Sequence, residues 1–248
     1  MTLPLGAVTR RFAEADEFAA ALLGGEFEYL PVRGQVFDAT LRILTFGEVV
    51  IQQADDAAHV SRAAMSGTAS ALIVPLQSSD QRIRINGESV GDRAALLAPG
   101  GAEFHTLCPA AYRWAALTLP QTLLEEWASL AVHRLVGRPE ASVLTLAAGP
   151  GIRLAGALTA AAQLADNPPG AAAAQGCAEG LARSLHELVG EALTEDIRAR
   201  PRPRAMREAH RVVRTVEEFL RGNLHRPIYR DELCVELGIS LRKLHGAF

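Results

Sequence analysis

Basic side chains cluster near the C-terminal end of the sequence, beside a serine that can begin a helix. Ser240 has the short hydroxyl side chain that caps helix N-termini, and Arg242, Lys243 and His245 fall on the outward side of the helix it would begin. The inward positions of this helix are Leu241, Leu244 and Phe248. Arginine and lysine pair with guanine acceptors or with phosphates in the major groove of DNA. The cluster indicates a DNA contact, and the alternative is an ordinary helical subdomain with solvated arginines.

The elements that would position this helix can be located upstream of it. The apolar residues within Val212–Leu220 share one helix face, and Pro227 blocks continuation of that helix. A second short helix ends before Gly238, a turn residue, so the pattern predicts a helix-turn-helix whose recognition helix comes last. Arg226 and Arg230, near the second helix, are expected on the phosphate backbone, where charge positions the protein without specifying sequence.

A second group of polar and aromatic residues falls on predicted strands of the N-terminal half. If these strands enclose a small molecule, an apolar cavity with a few polar anchors is expected. The candidate effector contacts are His59, Arg62, Arg84, Glu103, His105 and Trp114. Because alternate residues of a strand point to opposite faces, a one-residue error would exchange the whole set.

Metal and covalent chemistry have little support in the sequence. An open catalytic metal site needs three or more convergent ligands, whereas the strand region offers His59 and His105 and no His-x-His pair. Asp55-Asp56 has the pattern of a solvated loop pair, and no nucleophile elbow, P-loop or dinucleotide fingerprint occurs. We therefore expect no metal, no cofactor and no enzymatic activity.

The supporting strands are predicted over residues 41–119. Alternating apolar residues recur there in short runs separated by turns, which is typical of a sandwich or barrel. Asn86-Gly87 lies between two such runs and accepts the positive φ angles of a type I′ turn, so a tight hairpin is expected.

Residues 121–197 change to helical periodicity. The last helix of this region carries an apolar stripe, here called the 178–192 stripe, whose spacing averages about 3.5 residues, as in a coiled-coil seam. The predicted dimer interface residues are Ala178, Leu181, Leu185, Leu188 and Ala192. The alternative is packing against the neighbouring helix, Ile152–Leu164, within one chain. Residues 198–204 follow as an arginine- and proline-rich linker.

Composition is consistent with this organisation. The 248 residues are 49% hydrophobic and 21% charged, which suits two globular domains, and no apolar run reaches the roughly 18 residues that span a bilayer. The net charge of −3 divides into −9 for residues 1–197 and +6 for residues 198–248. Three widely separated cysteines are typical of a reducing cytoplasm. An acidic body with a basic end indicates nucleic-acid contact at that end alone, and the alternative is an arginine-rich linker that stays solvated.

The C-terminal residues resemble a known family. Leu224–Ile228, Asp231–Leu233, Leu237–Lys243 and the final Ala247-Phe248 are similar to the first helix-turn-helix of AraC/XylS-type transcription regulators. Residues 8–119 resemble, more loosely, the AraC-binding-like cupin domain of such regulators. The resemblance implies a barrel that senses an effector, helices that dimerise, a linker and a DNA-binding part.

Three departures from the family pattern matter. Cys234 replaces a small alanine, and Tyr229 stands where a hydroxyl residue usually caps the second helix. The family carries two helix-turn-helix modules, and this sequence ends at Phe248, inside the first. From this end point we expect that the 248-residue chain binds specific DNA weakly or not at all.

These observations give an α+β prediction with four parts. A cupin-like effector-binding β-barrel covers residues 1–119, dimerisation helices cover 120–197, a linker covers 198–204, and a partial all-α helix-turn-helix domain covers 205–248. The predicted function is a cytoplasmic AraC-family regulator that binds a small-molecule effector and double-stranded DNA as a homodimer, away from membranes. One alternative is a metal-free cupin-like binding protein or enzyme with an incidental helical tail, and another is an adaptor that dimerises with full-length partners.

Overall fold

The computed structural model describes residues 5–32, 34–76, 83–91, 93–127, 140–194 and 204–247. The chain divides into two compact units, Met1–Ala199 and Arg200–Phe248, which are described separately. Residues 198–203 of the predicted linker, together with Phe248, lie outside the described residues.

The first unit is built largely from short antiparallel strands. They are β1 (Leu5–Phe12), β2 (Gly25–Pro31), β3 (Ala39–Phe46), β4 (Val49–Asp56), β5 (His59–Met65), β6 (Ala69–Pro75), β7 (Arg84–Ile85), β8 (Glu88–Ser89), β9 (Ala94–Ala98), β10 (Glu103–Cys108), β11 (Tyr112–Pro120) and β12 (Ser142–Thr145). One sheet has the order β1-β3-β4-β11-β6-β9-β12, and the other has the order β2-β5-β10-β7-β8. The helices of this unit are α1 (Ala15–Ala21), α2 (Gln121–Trp127), α3 (Ala148–Asp166) and α4 (Ala171–Thr194).

The central strands of the seven-stranded sheet are buried on both faces. One face packs in a cluster with Leu154, Leu158 and Leu185 from α3 and α4, while the other shares a second cluster with Tyr29 and Phe104 of the five-stranded sheet. Burial on both sides accounts for the nearly continuous apolar sequences of β9 and β11, in which every residue except Arg113 and Pro120 is buried. The α+β class is confirmed, and among the described strands no pairing joins the two sheets into a closed barrel.

The hairpin predicted at Asn86-Gly87 is confirmed. Strands β7 and β8 pair with Arg84 opposite Ser89 and Ile85 opposite Glu88. Asn86 and Gly87 have φ angles of 52° and 79°, as a type I′ turn requires. Asn86 also fixes the hairpin to β10, because its N–H donates to the His105 carbonyl at 2.8 Å and its Oδ1 accepts the His105 N–H at 2.9 Å.

The 178–192 stripe is buried within its own chain. Ala178, Leu185 and Ala192 are at most 1% exposed, and they share a core cluster with Leu158 and Leu117. Leu181 and Leu188 are partly buried and pack against the same cluster. The prediction that these five side chains form a dimer interface is therefore wrong for the three buried ones, and the alternative of intramolecular packing on α3 holds.

The tip of α3 is fixed to the seven-stranded sheet by polar contacts. Asp166 accepts hydrogen bonds from Thr9 Oγ1 at 2.7 Å and from Arg42 Nε at 2.8 Å. Arg42 also donates to Asp55 at 2.9 Å, so strands β1, β3 and β4 and the end of α3 share one network. Within the described residues, no helix is long and apolar enough to cross a membrane.

The second unit contains three helices around a small core. They are α5 (Arg204–Gly222), α6 (Arg230–Glu236) and α7 (Leu241–Ala247). Val212, Val216 and Leu244 are buried together, and Leu233 and Leu237 of the α6 region pack against them. Leu244 faces inward as predicted, whereas Leu241 is 37% exposed and does not.

Candidate effector cavity and nucleic-acid interface

A small cavity of about 50 Å³ lies between the two sheets of the first unit. Its apolar wall includes Phe27, Ile73, Ile83, Ile85, Leu96 and Phe104. Its polar groups come from Tyr29, His59, Ser61, Thr106, Tyr112 and Trp114. None of the residues that the structure places on this wall has an acidic, lysine or arginine side chain. The arrangement is that of a binding cavity with an apolar body and a few polar anchors.

Two of the six predicted effector contacts line this cavity. His59 is 2% exposed and Trp114 is 7% exposed, and they approach the cavity from opposite sheets. Both residues lie on the inward-facing side of their strands, β5 and β11.

The other four predicted contacts lie outside the cavity. On β5 and β10 the inward residues include His59, Ser61, Phe104 and Thr106, which places Arg62, Glu103 and His105 on the outer side. Arg84 of β7 is exposed. The prediction for Arg62, Arg84, Glu103 and His105 is therefore corrected, because alternate residues of a strand face opposite sides.

Arg62 has a different set of partners on the outer face of the five-stranded sheet. Its Nη2 lies 3.4 Å from Glu103 Oε2, and its Nη1 lies 3.8 Å from Glu28 Oε1. These half-exposed pairs neutralise the guanidinium locally, so Arg62 offers no charge to the cavity.

His59 has a defined hydrogen-bonding role. Its Nδ1 lies 2.9 Å from the carbonyl oxygen of Ala57, and a carbonyl can only accept, so Nδ1 carries the proton. Burial lowers the pKa of His59 to about 4, which keeps the ring neutral near pH 7. The 3.8 Å approach of Nδ1 to Asp56 Oδ1 is therefore not an ion pair at neutral pH.

Asp56 lies behind the cavity wall and was not anticipated. The sequence suggested a solvated Asp55-Asp56 pair, but Asp56 is 3% exposed, and its Oδ2 accepts the indole N–H of Trp114 at 2.9 Å. Burial raises its pKa to about 7, with the Trp114 hydrogen bond opposing the shift. Asp56 lies opposite Tyr112 on the neighbouring strand. It is two residues from Ala54, which faces inward, so the two side chains share one face of β4. This spacing in the sequence could have predicted that Asp56 faces inward.

The remaining ionisable side chains of the cavity stay protonated. Burial raises the pKa values of the Tyr29 and Tyr112 hydroxyls and of the Cys108 thiol. A thiol that is held protonated is a weak nucleophile, so Cys108 is not activated for covalent chemistry. Among the described residues, no group of three or more His, Cys, Asp or Glu side chains is arranged to hold a metal ion.

The second unit presents a capped helix. Ser240 Oγ accepts the backbone N–H of Lys243 at 3.2 Å, which caps the N-terminus of α7. Gly238, with a φ of +60°, makes the turn between α6 and α7, a conformation that favours glycine. The predicted order of helix, glycine turn and serine-capped helix is present.

The predicted DNA-contacting side chains lie on the surface of the second unit. Arg242, Lys243 and His245 are exposed on α7. Arg226 pairs with Glu232 and also lies 3.4 Å from Asn223 Oδ1, while Arg230 lies 3.5 Å from Asp231. Basic side chains are therefore exposed on α7 and near α6 alike.

The fold is similar to that of a solved structure. It is the fold of AraC-like transcriptional activators, as shown by similarity to the crystal structure of the AraC-like transcriptional activator CuxR, with a TM-score of 0.57 and 15% identity over 98% of this chain and 88% of that one. ToxT from Vibrio cholerae O395, bound to (E)-4-(8-methylnaphthalen-1-yl)but-3-enoic acid, matches 98% of this chain and 76% of its own at 9% identity, with a TM-score of 0.29, too low for a comparison of folds. No protein-family model matches the chain, and no curated protein matches it.

Proposed function

We propose that this chain is an AraC-type transcription regulator that binds a small-molecule effector in its first unit and duplex DNA through its second. The observation that carries the proposal is the α7 helix, which Ser240 caps and which exposes Arg242, Lys243 and His245. A helix fixed at its N-terminus by a glycine turn is the geometry by which helix-turn-helix proteins enter the major groove. The similarity in fold to an AraC-like activator supports the same function.

The cavity between the sheets is the proposed effector site. It combines an apolar wall with a buried acceptor at His59 and an indole at Trp114. The raised pKa of Cys108 and the neutral state of His59 favour binding over catalysis. An effector regulates DNA binding only if it binds two arrangements of the protein with different affinity.

The cytoplasm is the compartment we expect for such a regulator. The homodimer stays a prediction. Its interface would not include Ala178, Leu185 and Ala192, which are buried within one chain. The competing function is a small-molecule binding protein whose helical tail is incidental, in which case the basic side of α7 would have no effect on DNA.

A selection experiment tests the proposal. The 248-residue protein is incubated at low salt with a pool of random duplexes, and the retained DNA is sequenced. Because specific binding by this 248-residue chain is expected to be weak, we expect the wild type to retain duplex DNA with at most a small enrichment of a shared sequence. The Arg242→Ala/Lys243→Ala variant should retain less DNA and lose that enrichment.

An Arg11→Ala/Arg153→Ala variant, which removes two exposed charges from the first unit, serves as the matched control. It should enrich the same sequence as the wild type. Equal retention and equal enrichment by all three proteins, or no DNA retained by any of them at low salt, would contradict the proposal.

A further inference from the structure

The side chains that line the effector cavity indicate the chemical class of the ligand that it would bind. The polar groups on its wall fall into two kinds. The hydroxyls of Tyr29, Ser61, Thr106 and Tyr112 can rotate to donate or accept, so they do not select between ligands. His59 differs, because its role is fixed.

The fixed role of His59 follows from its two ring nitrogens. Nδ1 donates to the Ala57 carbonyl at 2.9 Å, and the ring is neutral, so Nε2 has no proton. The hydrogen bond of the His59 ring to Ala57 uses Nδ1, and the ring lines the cavity while only 2% exposed. Nε2 is therefore the ring atom that is left to accept a hydrogen bond from a ligand in the cavity.

Charge complementarity excludes two other classes of ligand. An anion would be buried on a wall where the described residues offer no basic partner, since Arg62 pairs with Glu103 on the outer face. With a pKa of about 4, about one His59 side chain in a thousand carries a proton at pH 7 and could serve such an anion. A cation would seek Asp56, whose Oδ2 accepts from Trp114 and whose Oδ1 is buried without a hydrogen-bond partner, but Asp56 does not line the cavity.

We propose that the cavity selects an uncharged, largely apolar molecule that donates one hydrogen bond, from a hydroxyl or N–H group, to Nε2 of His59. The proposal rests on the proposed effector function of the same cavity. The cavity measures about 50 Å³, whereas an engineered cavity that binds benzene measures about 150 Å³, so a ligand of aromatic size requires the wall to move outward.

Four probes of similar size test the proposal. They are benzyl alcohol, ethylbenzene without a donor, benzoate as the anion and benzylamine as the cation. Binding to the full chain is followed by calorimetry and by the fluorescence of Trp114, which lies on the cavity wall. Trp127 lies elsewhere, and a Trp127→Phe background isolates the Trp114 signal.

We expect benzyl alcohol to bind more tightly than benzoate and benzylamine. The affinity ratio of benzyl alcohol to ethylbenzene should fall about fivefold in His59→Phe, because one net hydrogen bond of about 1 kcal/mol is lost. His105→Phe, the same substitution on the outer face of the same sheet, should leave the ratio unchanged.

The contradicting outcomes separate the two proposals. If wild-type protein bound benzoate or benzylamine as tightly as benzyl alcohol or more tightly, the proposed ligand class would be wrong. The cavity would still be a binding site. A ratio that does not change in a folded His59→Phe protein would have the same consequence. Absence of binding by all four probes at millimolar concentration would overturn both the ligand class and the effector site.

Discussion

Trp114 donates its indole N–H to the buried carboxylate of Asp56 at 2.9 Å, between the neighbouring strands β11 and β4. The bond links the cavity wall to an acid that the cavity itself does not touch. His59 approaches the other oxygen of the same carboxylate to 3.8 Å. Two buried titratable groups with opposite pKa shifts therefore lie side by side behind the proposed effector site.

The pair predicts opposing effects of pH on stability. The pKa of Asp56 rises from 3.8 to about 7 on folding, so its contribution to the free energy of unfolding is present at low pH and is lost as pH rises from about 4 to 7. The pKa of His59 falls from 6.5 to about 4, so its contribution is present above pH 6.5 and is lost as pH falls toward 4. In the wild type the two slopes largely cancel between pH 4 and 6.5.

Single variants should separate these slopes. Relative to the wild type, Asp56→Asn should gain stability with rising pH by about 1.4 kcal/mol per unit, and His59→Phe should lose stability with rising pH over the same window. Urea unfolding from pH 4 to 7 measures both differences. Parallel curves for the two variants would show that these groups do not titrate as buried neighbours.

The core position of Leu185 predicts a loss of stability without a change of assembly. Leu185 is fully buried, so Leu185→Ala should cost about 2–5 kcal/mol of unfolding free energy. Ile152→Ala, at a residue that is 72% exposed on α3, should cost less than about 0.5 kcal/mol. Urea unfolding checks the costs, and sedimentation checks the mass. If Leu185→Ala reduced the mass while stability was kept, the stripe would be an intermolecular interface after all.

Asn86 predicts the local stability of the β7–β8 hairpin. Asn86→Ala removes the acceptor for the His105 N–H. It also places alanine at a φ of 52°, a left-handed conformation that asparagine tolerates better than alanine does. We expect a local cost of about 1–2 kcal/mol, seen as faster amide exchange over residues 84–89. Asn86→Gly restores the backbone freedom and should recover part of this loss. Equal exchange in all three proteins would mean that the turn geometry does not limit the hairpin.

Ser240 predicts the order of the α7 helix. Ser240→Ala removes the side-chain cap on the Lys243 N–H and should lower the stability of the helix by about 1 kcal/mol. This loss corresponds to about fivefold faster amide exchange over residues 241–247. Ser240→Asp keeps a capping oxygen and should preserve the protection. A similar loss in both variants would show that the side-chain cap does not stabilise this helix.

Local signals in the sequence were enough to predict several elements. Asn86-Gly87 demanded positive φ angles, and Gly238 followed by Ser240 set the start of the last helix. In both places the residue type itself determines the backbone, so no knowledge of distant contacts is needed.

The cavity needed long-range information that the sequence supplied only in part. His59 and Arg62 are three residues apart on one strand, so their side chains face opposite sides of the sheet. If His59 lines the cavity, this rule excludes Arg62 and the residues paired with it in register from the predicted effector contacts. Which of the two alternating sets of side chains on a strand points inward depends on the position of the partner sheet. For the same reason, the apolar stripe around Leu185 predicted burial correctly without identifying the surface that buries it.

The salt dependence of DNA binding tests the central claim most directly. Binding of the 248-residue protein to a duplex is measured between 50 and 200 mM salt, for the wild type, Arg242→Ala/Lys243→Ala and the Arg11→Ala/Arg153→Ala control. If α7 faces the DNA, the double α7 variant weakens binding and lowers the log–log salt slope by about 2, because two phosphate contacts are lost, while the control keeps the wild-type slope. Equal slopes and affinities for the α7 variant and the wild type would contradict the account.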